Sequence, residues 1–284
     1  MACAHATYAH FSSPFPNSGG KLTRWRFGVR VNTSLPFPGR RLPRARFAAL
    51  IMTLPNSLSL SSNHKIRVTI DDGLKKKCSR VALGCVTALV EARKAPMDLT
   101  EEMQKRVQEI VKLPYARGVL ESAQILATRA AYKALGKDPA RYRGSAEALL
   151  RRVVAGKGLP KINAVVDVIN LVSVESRLPV GLYDLDKVNG DITFRAGRTG
   201  ESYPGIGKFD LNLESLPVFA DQTGPHGSPT SDSERTMVTA ETKRVLGVIV
   251  SFGGSEGLDR WTQRMIDLLQ RDASASDCEA FFVS

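Results

Sequence analysis

The first carboxylate in this chain is Asp71. Ahead of it lie ten basic residues (Lys21, Arg24, Arg26, Arg30, Arg40, Arg41, Arg44, Arg46, Lys65 and Arg67) and not one Asp or Glu, so most of the formal charge of +12 belongs to the N-terminal stretch. Taking those ten from the 40 Lys/Arg leaves 30 bases against 28 acids, a net +2 over the remaining 214 residues. An acid-free segment rich in Arg, Ser, Pro and Gly has neither the apolar periodicity nor the charge pairs to build a core. Residues 1–60 are therefore read as a transit peptide and disordered leader. Chloroplast is the expected destination, because prolines and glycines interrupt the amphipathic helix of a mitochondrial leader. Mitochondrion is the alternative, and Met52 offers a second start that would give a cytoplasmic form. The folding unit is read as 61–272, with a flexible tail over 273–284.

Several chemistries are excluded early. No apolar run reaches the roughly 20 residues that span a bilayer, so no membrane partner is expected. Cys3, Cys78, Cys85 and Cys278 form no CxxC pair, and of His5, His10, His64 and His226 only the last lies well inside the folding unit. A zinc site, a disulfide framework and a His-based triad are all poorly served, and neither metal nor cofactor is expected. "GESYPGIGK" has Ser202 where a phosphate loop needs glycine and Phe209 where it needs Ser or Thr. There is no GxSxG elbow.

The remaining pattern predicts an α+β fold, with mixed sheets and flanking helices in a single domain. "KIRVTIDD" alternates as a strand, and "SRVALGCVTALVEA" reads as a longer buried strand in which Gly84 suits a bulge. "LTEEMQKRVQEIVK" places Leu99, Met103, Val107, Ile110 and Val111 on one helical face. "ARGVLESAQILATRAAYKAL" reads as one helix stopped by Gly136, and "SAEALLRRVVAG" as another with Ser145 as cap. "INAVVDVINLVSVES" suits a helix or a buried strand, its length favouring helix. Asn189-Gly190 predicts a hairpin into "DITFR", "PVFAD" and "RVLGVIVSF" further strands, and "GLDRWTQRMIDLLQ" an amphipathic helix. "TGPHGSP" reads as a mobile loop.

The blocks "INAVVDVINLVSVESRLPVGLYDLDKVNGDITFRAG", "GES", "PVFAD" and "SDSERTMVTAETKRVLGVIV" resemble the tRNA-binding B3/B4 domain of the bacterial-type phenylalanyl-tRNA synthetase beta subunit. The likeness covers about Arg151 to Phe252 and is closer to free-standing proteins built from that domain. It implies a B3/B4-like fold, a tRNA or aminoacyl-tRNA partner, and an editing reaction that hydrolyses tyrosine from the phenylalanine tRNA. Such proofreading is needed because an apolar amino-acid pocket rejects an added hydroxyl only about a hundredfold. By this resemblance Asn163 and Glu234 are candidate catalytic residues, positioning water and accepting the tyrosine hydroxyl. Asp167, Asn170, Asp184 and Arg235 are candidate substrate-binding residues. The resemblance has one departure: where the synthetase carries a histidine before the aspartate, "PVGLYD" has Gly181.

Short polar residues also suit turns and caps, which is the competing role for Asp167, Asn170, Asp184 and Asp186. Arg141, Arg143, Arg151, Arg152, Lys157 and Lys161 form a basic run against Glu147. On one face they would track an RNA phosphate backbone; otherwise they are a solvated helix surface. A non-catalytic binding module and an enzyme acting on free amino-acid derivatives are the other functions open to the sequence. Oligomeric state is not set by it.

Overall fold

The computed structural model describes residues 65–207 and 210–284. The transit-peptide reading of residues 1–60 lies outside the described residues. Elements run in the order β1 (Val68–Ile70), α1 (Asp72–Lys77), β2 (Ala82–Leu89), α2 (Met97–Val111), α3 (Ala123–Leu135), α4 (Ser145–Val154), α5 (Ala164–Ser176), β3 (Val180–Asp184), β4 (Ile192–Ala196), β5 (Ser202–Pro204), β6 (Asp210–Asn212), β7 (Pro217–Asp221), β8 (Gly224–Gly227), β9 (Arg244–Ser251), α6 (Leu258–Ala273) and β10 (Ser276–Val283). The α+β architecture is as expected from the sequence.

The central sheet is antiparallel in the order β10-β2-β9-β3. Its strands alternate strictly, yet both faces are apolar. Ala82, Val86 and Ala88 of β2, Val245 and Ile249 of β9, and Val180 and Leu182 of β3 pack under α5 and α6. Leu83 and Cys85, Leu246, Val248 and Val250, and Tyr183 face the other way, onto a second sheet and α3. Burial on both sides is why "SRVALGCVTALVEA" reads as an unbroken apolar run. The second sheet, β1-β4-β7-β8, is mixed: β1 is parallel to β4, and the other pairs are antiparallel.

Helix α6 lies close to the central sheet because two strand positions lack a side chain. A Cβ on Gly84 would come within 2.8 Å of Thr262 Cγ2, and one on Gly247 within 2.7 Å of Met265 Sδ. Gly84 therefore marks close packing, and the β2–β9 register runs past it without the expected bulge. On the outer side an ion-pair network ties three helices together. Glu175 of α5 accepts from Arg106 of α2 and Arg264 of α6, while Glu102 of α2 accepts from Arg264 and Arg271 of α6.

Four local expectations are corrected. The helix predicted over Ala116–Leu135 is broken: Ala116–Glu121 is a 3₁₀ turn, Ser122 is extended, and only α3 is α-helical. Gly136 does end it, at φ +93°. The cap of α4 is Gly144, with Ser145 the first helical residue. The Asn189-Gly190 turn does not make a hairpin, because β3 pairs with β9 in one sheet while β4 pairs with β1 and β7 in the other. Burying both strand faces decided the partners over the local turn signal. The tail over 273–284, read as flexible, forms β10 against β2, with Phe281 opposite Cys85 and Val283 opposite Leu83.

Gly84→Val should destabilise the protein by about 1–3 kcal/mol, because the added methyls must displace α6 from a packed sheet. Urea unfolding measures the loss, and an unchanged midpoint would contradict the close approach.

Candidate functional site

The motif residues of "INAVVDVIN" are committed to folding α5. Asn163 is its N-cap: its side-chain oxygen accepts from Val166 N at 3.0 Å, satisfying an amide that the first helical turn leaves free. Asp167 is buried, and its Oδ1 accepts from Ile162 N at 2.8 Å. Burial raises its pKa to about 6, against the lowering effects of that N–H and of Lys161. Asn170 is half-buried further along the same helix. Asp184, at the end of β3, accepts from Thr242 Oγ1 at 2.7 Å and from Asp186 N at 3.1 Å, with Lys187 Nζ 3.3 Å away. It fastens the segment leading into β9 to the end of β3.

Arg235 is held the same way. Its guanidinium makes two 2.9 Å bonds to the fully buried Asp221 and a third, at 3.1 Å, to Gly224 O. That fork locks the β7–β8 turn to the 3₁₀ turn Glu234–Thr236. Glu234 itself is exposed, and among the described residues no cation pairs with it. No hydrogen bond joins Asn163 to Glu234: one precedes α5, the other follows β8.

The loop "TGPHGSP" is not mobile surface, since its residues 224–227 form β8 and His226 is wholly buried. Its ring meets Tyr183 edge-on, centroids 4.6 Å apart, and among the described residues neither ring nitrogen has a hydrogen-bond partner. Burial holds its pKa down to about 4, opposed by the charge of Asp221. Tyr183, on β3, projects across to β7 and β8 beside Phe219 and next to the carboxylate of Asp232, whose Oδ2 accepts from Leu182 N at 3.2 Å. The position that departs from the resemblance, Gly181, shares this strand face. A Cβ there would lie 2.3 Å from the Tyr183 hydroxyl.

The basic run does not form one face. Arg143 and Arg151 open onto a cleft of about 380 Å³ between α3 and α4, which Arg129 and Lys133 also line. Lys157 and Lys161 border a different cleft, of about 360 Å³, with Met103, Gln104 and Val107 of α2. Arg141 is exposed beside Tyr142, 5.7 Å from its ring, and Arg152 is half-buried. In the α3–α4 cleft Glu147 is buried and takes two bonds from Arg129 and one from Arg151, at 2.7–2.9 Å. Burial alone would lift its pKa, but the two guanidinium groups bring it below the usual range. Lys133 and Arg143 are exposed and, among the described residues, have no ion pair.

Sequence reasoning missed Arg129, Lys133 and Tyr183, and set His226 in a mobile loop rather than on the buried β8. The α3 cations carry a readable signal, since Arg129 and Lys133 are four residues apart and share one helix face. Gly181 and Tyr183, two apart on a strand, share a face by period two. Nothing local places His226 beneath them.

Asp167→Asn separates a binding role from a structural one. A carboxyl whose folded pKa is about 6, above its ordinary 3.8, loses folding stability as pH rises through that interval. The variant should gain about 1–2 kcal/mol at pH 7 and lose that pH dependence between pH 4 and 6, read by urea unfolding.

The B3/4 domain family profile matches residues 127–257. Three phenylalanine–tRNA ligase beta subunits are similar over part of the chain. That of Bartonella henselae is 35% identical over 92 residues, 31% of this chain and 11% of its own length. That of Bifidobacterium longum is 34% identical over 105 residues, 34% and 12%; that of Paramagnetospirillum magneticum is 39% identical over 69 residues, 24% and 9%. The chain thus spans about a tenth of the length of these relatives. A solved N-terminal fragment of the phenylalanyl-tRNA synthetase beta subunit from Pyrococcus horikoshii aligns with a TM-score of 0.41 at 17% identity, over 78% of this chain and 51% of that one. Residues 127–257, a little under half of the chain, thus match the B3/4 domain family, and the chain is similar over part of its length to the phenylalanine–tRNA ligase beta subunit.

Proposed function

We propose that this domain binds tRNA or aminoacyl-tRNA through the α3–α4 face. The observation that carries the reading is the cleft in which Lys133 and Arg143 remain unpaired while Glu147 occupies Arg129 and Arg151. Lys137 adds a further charge at 4.3 Å from the Tyr142 ring, so cations and an aromatic platform adjoin, a combination suited to phosphates and unstacked bases. With a net charge of only +2 over residues 71–284, affinity rests on few contacts and is strongly salt-dependent. The phenylalanine–tRNA ligase relatives support tRNA as the nucleic acid. The leader's composition supports delivery to the chloroplast.

A hydrolytic role is the second reading, favoured by the exposed and unpaired Glu234. Water would attack the ester of a mischarged aminoacyl-tRNA, with tyrosine on the phenylalanine tRNA as the first substrate to try. Asn163 supports this less well than its place in the motif implies, since its carbonyl oxygen serves as the cap of α5. Gly181 also leaves the site without the imidazole of the resembling synthetase.

Combining Lys133→Glu with Arg143→Glu should weaken tRNA binding by more than about tenfold at low salt and reduce the slope of log K against log salt by about 1–2. Filter binding across a salt series measures both, and an unaltered slope would remove the cleft from the interface. For the hydrolytic reading, aminoacyl-ester release from mischarged tRNA should exceed the spontaneous rate and fall when Asn163→Ala and Glu234→Ala are combined. Release at an unchanged rate in that double variant would refute their catalytic roles.

A further inference from the structure

Tyr183 occupies space that strand neighbours normally fill. A Cβ built on Gly181 would lie 2.3 Å from its hydroxyl and 2.8 Å from Cζ; one on Gly227 would lie 2.4 Å from the hydroxyl and 2.3 Å from Cε1. Contacts that short do not occur between real side chains, so any residue but glycine at either place forces the phenol to move. Two glycines, one from each sheet, thus make a slot for a single aromatic ring. Phe219 lies beside that ring at 5.6 Å between centroids, and His226 meets it edge-on at 4.6 Å.

The slot is polar at its deep end, where the phenol approaches the Asp232 carboxylate. His226 is 0% exposed, and both its nitrogens lack hydrogen-bond partners among the described residues. A buried polar group left unmatched costs on the order of 1–3 kcal/mol. An aromatic chosen only to fill volume would not be set among such groups. Packing alone accounts for the ring but not for its polar surroundings.

We propose that Tyr183 is a built-in occupant of an aromatic pocket and the residue that sets its specificity: the slot between Gly181 and Gly227 accepts a phenol, and this chain fills it with its own side chain. Free aromatic amino-acid side chains are thereby excluded from the seam between the two sheets. An aminoacyl group recognised by this protein must therefore be read elsewhere or carry a small side chain. This inference concerns the sheet seam and is independent of RNA binding at α3–α4.

The test is Tyr183→Ala, which removes the occupant and keeps both glycines, with p-cresol as probe and toluene as the comparator lacking a hydroxyl. Wild-type protein should show no saturable p-cresol binding at millimolar concentration by ligand-observed NMR. The variant should bind it at least about tenfold more tightly than the wild type, and prefer it over toluene by about tenfold, because the polar groups of the slot then meet a hydroxyl. Equal p-cresol affinity in the two proteins would overturn the proposal. So would equal affinity of the variant for toluene and p-cresol, which is the behaviour of an apolar hole left by any large-to-small change. If the variant folds only with p-cresol present during refolding, and not with toluene, the pocket is confirmed; failure to fold with either overturns it.

Discussion

Strands β2 and β9 carry apolar side chains on both faces, and the rest of the molecule is arranged to cover them. One face takes α5 and α6, seated closely because Gly84 and Gly247 present bare backbone. The other takes the mixed sheet with α3. Covering both faces turns a plain antiparallel sheet into the middle layer of three, and it places Tyr183 in a sheet-to-sheet seam where no solvent reaches it. The Tyr183–His226 region is therefore interior. Asp184, Asp221 and Asp232 find hydrogen-bond partners there, whereas among the described residues the nitrogens of His226 do not.

Charge follows a different logic. The strong pairs fasten elements: Arg235 to Asp221, Arg195 to Glu201, and the Glu102–Glu175 network across α2, α5 and α6. Most of these are only partly buried, so their worth is modest and lies in fixing geometry. A cation already forked onto a buried carboxylate is poorly placed to serve a ligand. Lys133 and Arg143, which have no ion pair among the described residues, are the cations that project a field into solvent.

Much of the fold was legible. Strands β2, β7 and β9 and helices α2, α5 and α6 followed from period and apolar content, since each buries a wide surface and is written in many residues. What misled was local: the Asn-Gly turn is a real turn, with Gly190 at φ +75°, but strand partners are set by long-range burial. The C-terminal strand was hidden because Ser276–Val283 carries only Phe281 and Val283 toward the core and lies beside a bulge at Ser276–Glu279. The site was less legible than the fold. Asn163, Asp184 and Arg235 have residue types suited equally to binding and to capping, and only their hydrogen bonds decide between the two. The Gly181–Tyr183–His226 cluster joins residues from two sheets, a meeting that no window of sequence displays.

The order β10-β2-β9-β3 has a kinetic side. Residue Ala82 pairs with Ser251, and Val283 pairs with Leu83, so the middle of the sheet closes only when segments about 170 and 200 residues apart have met. Loop-closure entropy must be overcome before those contacts return anything, which makes this a slowly folding topology of high contact order. The segment matched by the family profile, 127–257, contains β9 but not β2. Cut to those bounds, the chain would leave one side of β9 an unpaired and mostly apolar strand edge, open to pairing with a neighbouring molecule. Strand β2 thus covers an edge of β9 from outside the segment that the family profile matches.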